Sequence, residues 1–384
     1  MSFPSFALLL LAGCTFYSGV PNENRNNGGS AANTAGGMAS GGSAARAGTS
    51  AGGGSDADAG SAGDTDSGLE WVPATGTLAG KSNASPGLTF VSIKPDEDIM
   101  IAGLSENGLW ASSDGGKTWR GLGQSGSSDT ISNLVTSILY DPEHPKVFWE
   151  TGIYNSGGAY RTDDNGKTFK RLGNSTHTEM ISVDFSDPDR QTILAGPHET
   201  PKLVHRSFDG GDTWDDIGQN LPDECGYSSF PLVLDADTFL LGCVSRIERS
   251  TDAGETWETV STTGGSQAPI VAKDGSIYWG SNGLGVMRSE DKGVTWSRVV
   301  GGGVLQNWLL ELPDGRLASM TRDYVVVSSD AGNTWQVFSP KLPYLPNGFT
   351  YSRFRKAFYI WTYTSEGVIP DNSILAFPFD YETQ

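Results

Sequence analysis

The sequence predicts an all-β, seven-bladed β-propeller preceded by a disordered stalk rich in Gly, Ser and Ala. Three observations predict it. An eight-residue motif, Ser/Thr-x-Asp-x-Gly-x-Thr-Trp/Phe, recurs six times after Gly68, and its aspartates (Asp114, Asp164, Asp209, Asp252, Asp291 and Asp330) stand 39–50 residues apart. That interval is the period of propeller blades. Short apolar runs bounded by turn residues fill the intervals, as strands should. Before Gly68 the chain carries almost no large apolar residue after Val20, so nothing there can form a core.

At the N-terminus, residues 7–12 are apolar and lead into Leu11-Ala12-Gly13-Cys14. The run is too short to span a bilayer and reads as the apolar region of an export signal. Leu-Ala-Gly-Cys resembles the lipobox of bacterial lipoproteins. The resemblance implies a signal at 1–14, acylation of Cys14 and, with Thr15 next, the outer membrane or cell surface. No Lys or Arg precedes the apolar run, which departs from the usual signal. An ordinary signal peptide with an incidental cysteine is the other reading. Residues 15–68 follow as a low-complexity linker whose ordering entropy no buried surface offsets. A coil of that length reaches about 40 Å, at about 5–6 Å per square root of residue number.

Charge narrows the partners. Lys and Arg total 26 against 45 Asp and Glu, a formal net charge of −19. Such a surface repels phosphate backbones and anionic headgroups alike, which argues against nucleic acid and leaves a lipid as the expected membrane attachment. Three cysteines without CxxC spacing and four histidines without a cluster suggest no metal and no cofactor. A monomer is expected.

Within each motif the Asp carboxylate can accept backbone N–H groups across a tight turn, the Gly supplies positive φ, and the aromatic starts the next strand. The repeats resemble the Asp-box, or BNR, repeats of sialidases, sortilin-type receptors, xyloglucan-degrading hydrolases and a photosystem assembly factor. The resemblance implies a structural hairpin between the third and fourth strands of each blade, far from the functional face. The DxG spacing lacks the further carboxylates of a calcium loop.

The strands follow in order. Blade one takes 89–93, 100–103 and 109–113; blade two takes 134–140, 147–150 and 159–162; blade three takes 181–185, 192–196 and 203–207. Innermost strands of the next three blades fall at 231–234, 268–271 and 308–312. After the sixth motif three strands remain, at 349–354, 357–363 and 373–379. Residues 70–76 read like the outer strand that follows a motif, with no blade before it. Pairing the two ends makes a seventh blade within 69–384 and removes two open edges.

Function is expected at the loop face opposite the hairpins, where loops of every blade converge. Its candidates are Glu106, Asn107, Glu150, Tyr154, Asn155, His198, Glu199, Glu224, Tyr227, Arg246, Trp279, Asn282, Trp308, Arg322, Asp323, Glu366 and Asp371. Tyr154, Asn155, His198, Trp279, Asn282, Trp308 and Arg322 are the expected binding set, since aromatics among polar groups suit stacking on sugars. Glu150, Glu199, Glu366 and Tyr227 are the candidates for catalysis.

A sialidase-like site would need a Tyr nucleophile, a partner Glu and three arginines. Tyr227 or Tyr351 with Arg246, Arg322 and Arg353 are its candidates, but the Arg-Ile-Pro motif of that family is absent. Asp141-Pro142 and the run Asn155-Ser156-Gly157-Gly158-Ala159-Tyr160-Arg161 resemble segments of xyloglucan-degrading hydrolases. In that family the first residue of the second segment is a catalytic aspartate; here it is Asn155, which cannot transfer a proton as a carboxylate does. Cys225 and Cys243, both in blade four, form either a disulfide or two buried thiols. The expectation is a lipid-anchored binding module for a glycan or an extracytoplasmic protein. A glycoside hydrolase of the sialidase-like superfamily is the alternative.

Overall fold

A computed structural model describes residues 70–81, 84–155, 157–227, 230–243, 246–281, 285–299, 308–364 and 367–383. The signal and linker readings, with Cys14, Asn282 and Glu366, lie outside the described residues. Seven four-stranded antiparallel sheets make seven blades, and no α-helix occurs among the described residues.

Blade one comprises Leu88–Ile93, Met100–Leu104, Leu109–Ser112 and Arg120–Gly121; blade two comprises Leu134–Tyr140, Phe148–Ile153, Gly158–Thr162 and Lys170–Arg171. Blade three comprises Thr178–Val183, Ile193–Pro197, His205–Ser207 and Asp215–Asp216; blade four comprises Phe230–Val233, Phe239–Gly242, Ile247–Ser250 and Glu258–Ser261. Blade five comprises Ile270–Val271, Ile277–Ser281, Gly285–Ser289 and Ser297–Val299; blade six comprises Leu309–Glu311, Leu317–Met320, Val325–Ser328 and Gln336–Val337. Blade seven joins Gly348–Ser352, Ala357–Trp361 and Ile374–Pro378 to Val72–Pro73, which pairs antiparallel with Ile374–Pro378.

The second strand of most blades is buried along its whole length, because its two faces pack on different neighbours. In blade one Ile101 packs towards blade two and Ala102 towards blade seven. Such strands read as continuous apolar runs rather than alternating ones. The core is accordingly seven clusters, one at each blade junction, including that between blades seven and one. The last junction is also stitched by the N-terminal segment. Ala74 donates to the Ile374 carbonyl, Thr77 N donates to the Lys117 carbonyl, and the Thr77 hydroxyl accepts Trp119 N. Gly76 allows this approach: its φ is +49°, and a Cβ there would lie 2.1 Å from the Gly116 carbonyl oxygen.

Each motif joins the third and fourth strands of its blade, and all six close on the same bonds. In the first, the Ser112 hydroxyl donates to Asp114 Oδ1 at 2.8 Å and accepts Gly116 N at 2.9 Å. Thr118 N donates to Asp114 Oδ1 and the Thr118 hydroxyl to Oδ2. These bonds, the Thr118 hydroxyl first, lower the Asp114 pKa to about 2. The residue after the Asp is left-handed in every motif, whether Gly115, Asn165, Gly210, Ala253, Lys292 or Ala331.

At this hairpin end a cation crosses every blade junction. Buried Lys94 of blade one reaches the Pro145 carbonyl and Asn165 Oδ1 of blade two. Arg190 of blade three grips Asp141 of blade two through two guanidinium nitrogens, so the Asp141-Pro142 turn is a structural joint. Arg206 reaches Ala253, Arg249 reaches Lys292, Lys273 reaches Pro313 and Arg316 reaches Tyr381, each at a backbone carbonyl of the next blade. Arg355 completes the ring from blade seven to Asp98 and the Ser113 carbonyl of blade one.

Candidate functional site

The opposite end carries the loops between second and third strands and the connections between blades. Over blades one to three these loops hold six non-glycine residues in left-handed backbone: Glu106, Tyr154, Asn155, His177, Glu199 and Lys202, with φ between 40° and 59°. Left-handed backbone disfavours residues with a Cβ, so the surrounding bonds must impose it. They do so in a chain. Gly157 N donates to the Tyr154 carbonyl at 2.6 Å, His177 N to Gly157, and His198 N to His177.

Three rings meet above that chain. Tyr154 lies edge-on to His177 at 4.9 Å and to His198 at 5.7 Å between centroids, and the two imidazoles are 5.3 Å apart at 88°. His198 is buried and links two partners: Nδ1 bonds the Glu179 carboxylate and Nε2 lies 3.3 Å from the Tyr154 hydroxyl. Glu199 Oε2 stands 3.7 Å from the same Nε2. Burial opposes a charge on His198, but the Glu179 and Glu199 carboxylates outweigh it and its pKa rises. His177 moves the other way, through burial and the nearby His198 charge. Burial, with Glu199 and Glu179, also raises the Tyr154 pKa, so this hydroxyl is a donor rather than an activated nucleophile.

Beside the rings, the Asn155 amide donates to Glu106 Oε1 at 2.5 Å, tying the loop of blade two to that of blade one. Beneath them lies Glu150. The sequence placed it on the loop face; the structure buries it completely in the second strand of blade two. Asn133 lies alongside, yet neither Glu150 oxygen accepts a hydrogen bond of ordinary geometry. Burial raises its pKa to about 8, against lesser opposing effects of Asn133 and Arg171. Its position in a strand covered on both faces explains the difference.

Trp279 requires a similar correction. It is fully buried in the second strand of blade five, packs on Trp296 and donates to the Gln267 carbonyl, so no ring face is left for a ligand. Trp308 is half-buried against Trp361. Tyr351 donates to the Phe379 carbonyl inside the junction of blades six and seven, where burial takes its pKa to about 12. Arg322 and Asp371 are exposed on loops of blades six and seven, and Asp323 ion-pairs with Lys341; none of them joins the ring cluster. Arg246 flanks buried Glu248 in blade four.

Over blades three and four, Cys225 and Cys243 form a disulfide. Tyr227 stands beside it, 45% exposed, with Glu224 exposed nearby. Among the described residues no group of three or more His, Cys, Asp or Glu is arranged to hold a metal. Sequence reasoning missed His177 and Glu179. Glu179 follows a strand-opening Thr and is 5% exposed, and an acid near an apolar strand was the available signal.

No family model matches the chain. It is 29% identical over 269 residues to a xyloglucanase of Paenibacillus sp., an alignment covering 61% of this chain and 23% of that protein. The chain therefore spans about a quarter of that relative's length. Among solved structures it is similar to the xyloglucanase of Xanthomonas campestris (TM-score 0.55, 16% identity, 80% of this chain and 55% of that one). It is also similar to YCF48 bound to D1 peptide (TM-score 0.52, 15% identity, 81% and 97%). A third likeness is to an extracellular domain ascribed to a hybrid two component system of B. thetaiotaomicron (TM-score 0.56, 13% identity, 79% and 41%). At these identities the structural likenesses show the seven-bladed fold.

Proposed function

We propose that the protein is a glycan-binding propeller that engages its ligand on the loop face of blades one to three without cleaving it. The observation that carries this reading is the hydrogen-bonded line from Glu179 through His198 to Tyr154, which fixes an aromatic ring 37% exposed to solvent. A ring held before its ligand arrives loses little entropy on stacking against a sugar. The Glu106–Asn155 pair at its edge offers an acceptor and a donor for hydroxyls. The 29% identity with a xyloglucanase supports a plant-type glucan as ligand class. Against cleavage stand Asn155, where the xyloglucan-degrading family has a catalytic aspartate, and Glu150, sealed below the surface. Hydrolysis of that kind needs two carboxyl groups flanking the bond.

In the same reading the six hairpins are Asp boxes, residues 1–14 are a lipoprotein signal acylated at Cys14, and residues 15–68 are a stalk. Residues 69–384 form the head, displayed at the outer membrane or cell surface. A peptide ligand is the second reading, favoured by the likeness to YCF48 in complex with a peptide.

The test is calorimetric titration of the full-length protein with xyloglucan, with reducing ends assayed in parallel. Tyr154→Ala should weaken binding about tenfold, the effect of losing one central stacking contact, and no reducing ends should appear. Reducing ends that vanish on Glu199→Gln or Glu366→Gln would replace this reading with the hydrolase. Cys14→Ala should move the protein out of the membrane fraction, and unchanged partition would remove the anchor.

A further inference from the structure

Among the described residues Tyr227 is the other exposed aromatic of the loop face, and the chain holds it with unusual firmness for a surface loop. A short turn at Asp223–Cys225 leads into it, and the Cys225–Cys243 disulfide ties that turn to the end of the second strand of blade four. From the other side, Pro201 of blade three forms a β-bridge with Tyr227, and Lys202 N donates to the Gly226 carbonyl. Lys202 Nζ also reaches Asp223 at 2.7 Å. Three ties, the disulfide, the bridge of which the Lys202–Gly226 bond is part, and the Lys202–Asp223 pair, therefore converge on five residues, yet the ring they position stays open to solvent.

The partner segment is the one that fixes Tyr154. His198 bonds the Tyr154 hydroxyl, and three residues later Pro201 pairs with Tyr227. Three residues of extended chain span about 10 Å at most, so the two rings are anchored within the reach of one short oligosaccharide. The other two exposed aromatics among the described residues, Phe208 and Phe354, lie at the hairpin end, and each has an arginine over its face, at 4.7 and 4.8 Å. Among the described residues no cation covers Tyr154 or Tyr227.

We propose that Tyr227 is a second stacking subsite, which with Tyr154 binds an extended oligosaccharide, and that the disulfide holds it ready. The inference rests on the glycan-binding reading above and adds the length of ligand and the second contact. Tyr227, considered from sequence as a reacting group, here acts through its ring.

The experiment titrates the full-length protein with isoprimeverose, a disaccharide, and with xyloglucan heptasaccharide, for wild type, Tyr154→Ala and Tyr227→Ala. Tyr227→Ala should weaken heptasaccharide binding about tenfold and change disaccharide binding less than twofold, and Tyr154→Ala should weaken both. Mild reduction of the wild type, with its melting transition retained, should reproduce the Tyr227→Ala pattern. Heptasaccharide binding that needs Tyr154 and ignores Tyr227 would overturn the second subsite and leave the glycan-binding reading standing. Binding that ignores Tyr154, or no binding of either sugar, would overturn that reading itself.

Discussion

At the hairpin end all six motifs close on the same four hydrogen bonds, and all seven blade junctions are crossed by a cation that reaches a neighbour. The residue after each Asp is left-handed there, as are Arg190 and Lys356 in turns between first and second strands, and exposed aromatics are covered by arginines. At the loop end Glu106, Asn155 and Glu199 are left-handed two residues past the second strands of blades one to three, joined by left-handed Tyr154 and His177, and their side chains are tied differently in each blade. A buried carboxylate that accepts no hydrogen bond of ordinary geometry lies below them, and two tyrosines stand open above. The difference teaches which polar groups are structural. Where the repeated motif satisfies its own donors and acceptors, substitution costs stability; where the bonds are particular to one blade, the structure holds groups ready for something else.

The largest expected effect concerns Glu150. Its folded pKa, about 8, lies above the ordinary 4.5, so the folded state holds its proton more tightly than the unfolded chain does. Its contribution is fully favourable below about pH 4.5 and is lost as pH rises towards 8. Compared with Glu150→Gln, the wild type should lose about 3 kcal/mol of stability between pH 4 and pH 7, at 1.36 kcal/mol per pKa unit. Parallel pH–stability curves for the two proteins would mean that the buried carboxylate has found a partner.

Ser250→Ala tests the hairpin end. The hydroxyl is buried, bonds Asp252 and accepts Gly254 N, so its loss should cost about 1–3 kcal/mol in denaturant melts. Xyloglucan affinity should not change. A variant of full stability that no longer binds would erase the division between the two ends.

The loop end should respond in the opposite sense. Glu179→Gln removes the carboxylate that raises the His198 pKa, so the imidazole titration followed by NMR should move to lower pH. Ligand affinity should fall severalfold as Tyr154 loosens. An unmoved titration would break the line from Glu179 to Tyr154.

The smallest effect is at Ala331, left-handed at φ 57° where two motifs have glycine. Ala331→Gly should be neutral or stabilising by up to about 1 kcal/mol, because relief of the left-handed strain opposes glycine's larger entropy loss. A clear destabilisation would show that packing of the Ala331 methyl on the junction of blades five and six outweighs the relieved strain.

Much of this fold was legible because a propeller repeats its turns. Asp114 and its counterparts announced the hairpins, and the apolar intervals announced strands whose bounds differ from the observed ones by a few residues. The site was less legible. Trp279 and Glu150 lie in second strands that are buried on both faces, where no alternation tells inward from outward. The ring cluster joins a loop of blade two, a connection between blades and a loop of blade three. His177 and Glu179 therefore gain their meaning only when residues 154 and 198 are brought beside them.

The division of labour can be observed directly by hydrogen–deuterium exchange of the full-length protein, with and without xyloglucan heptasaccharide. Slower exchange confined to 154–157, 174–178, 198–202 and 223–227, with the six hairpins unchanged, is the predicted result. Protection of the hairpins with no change over those loops would place recognition at the opposite end and contradict the account.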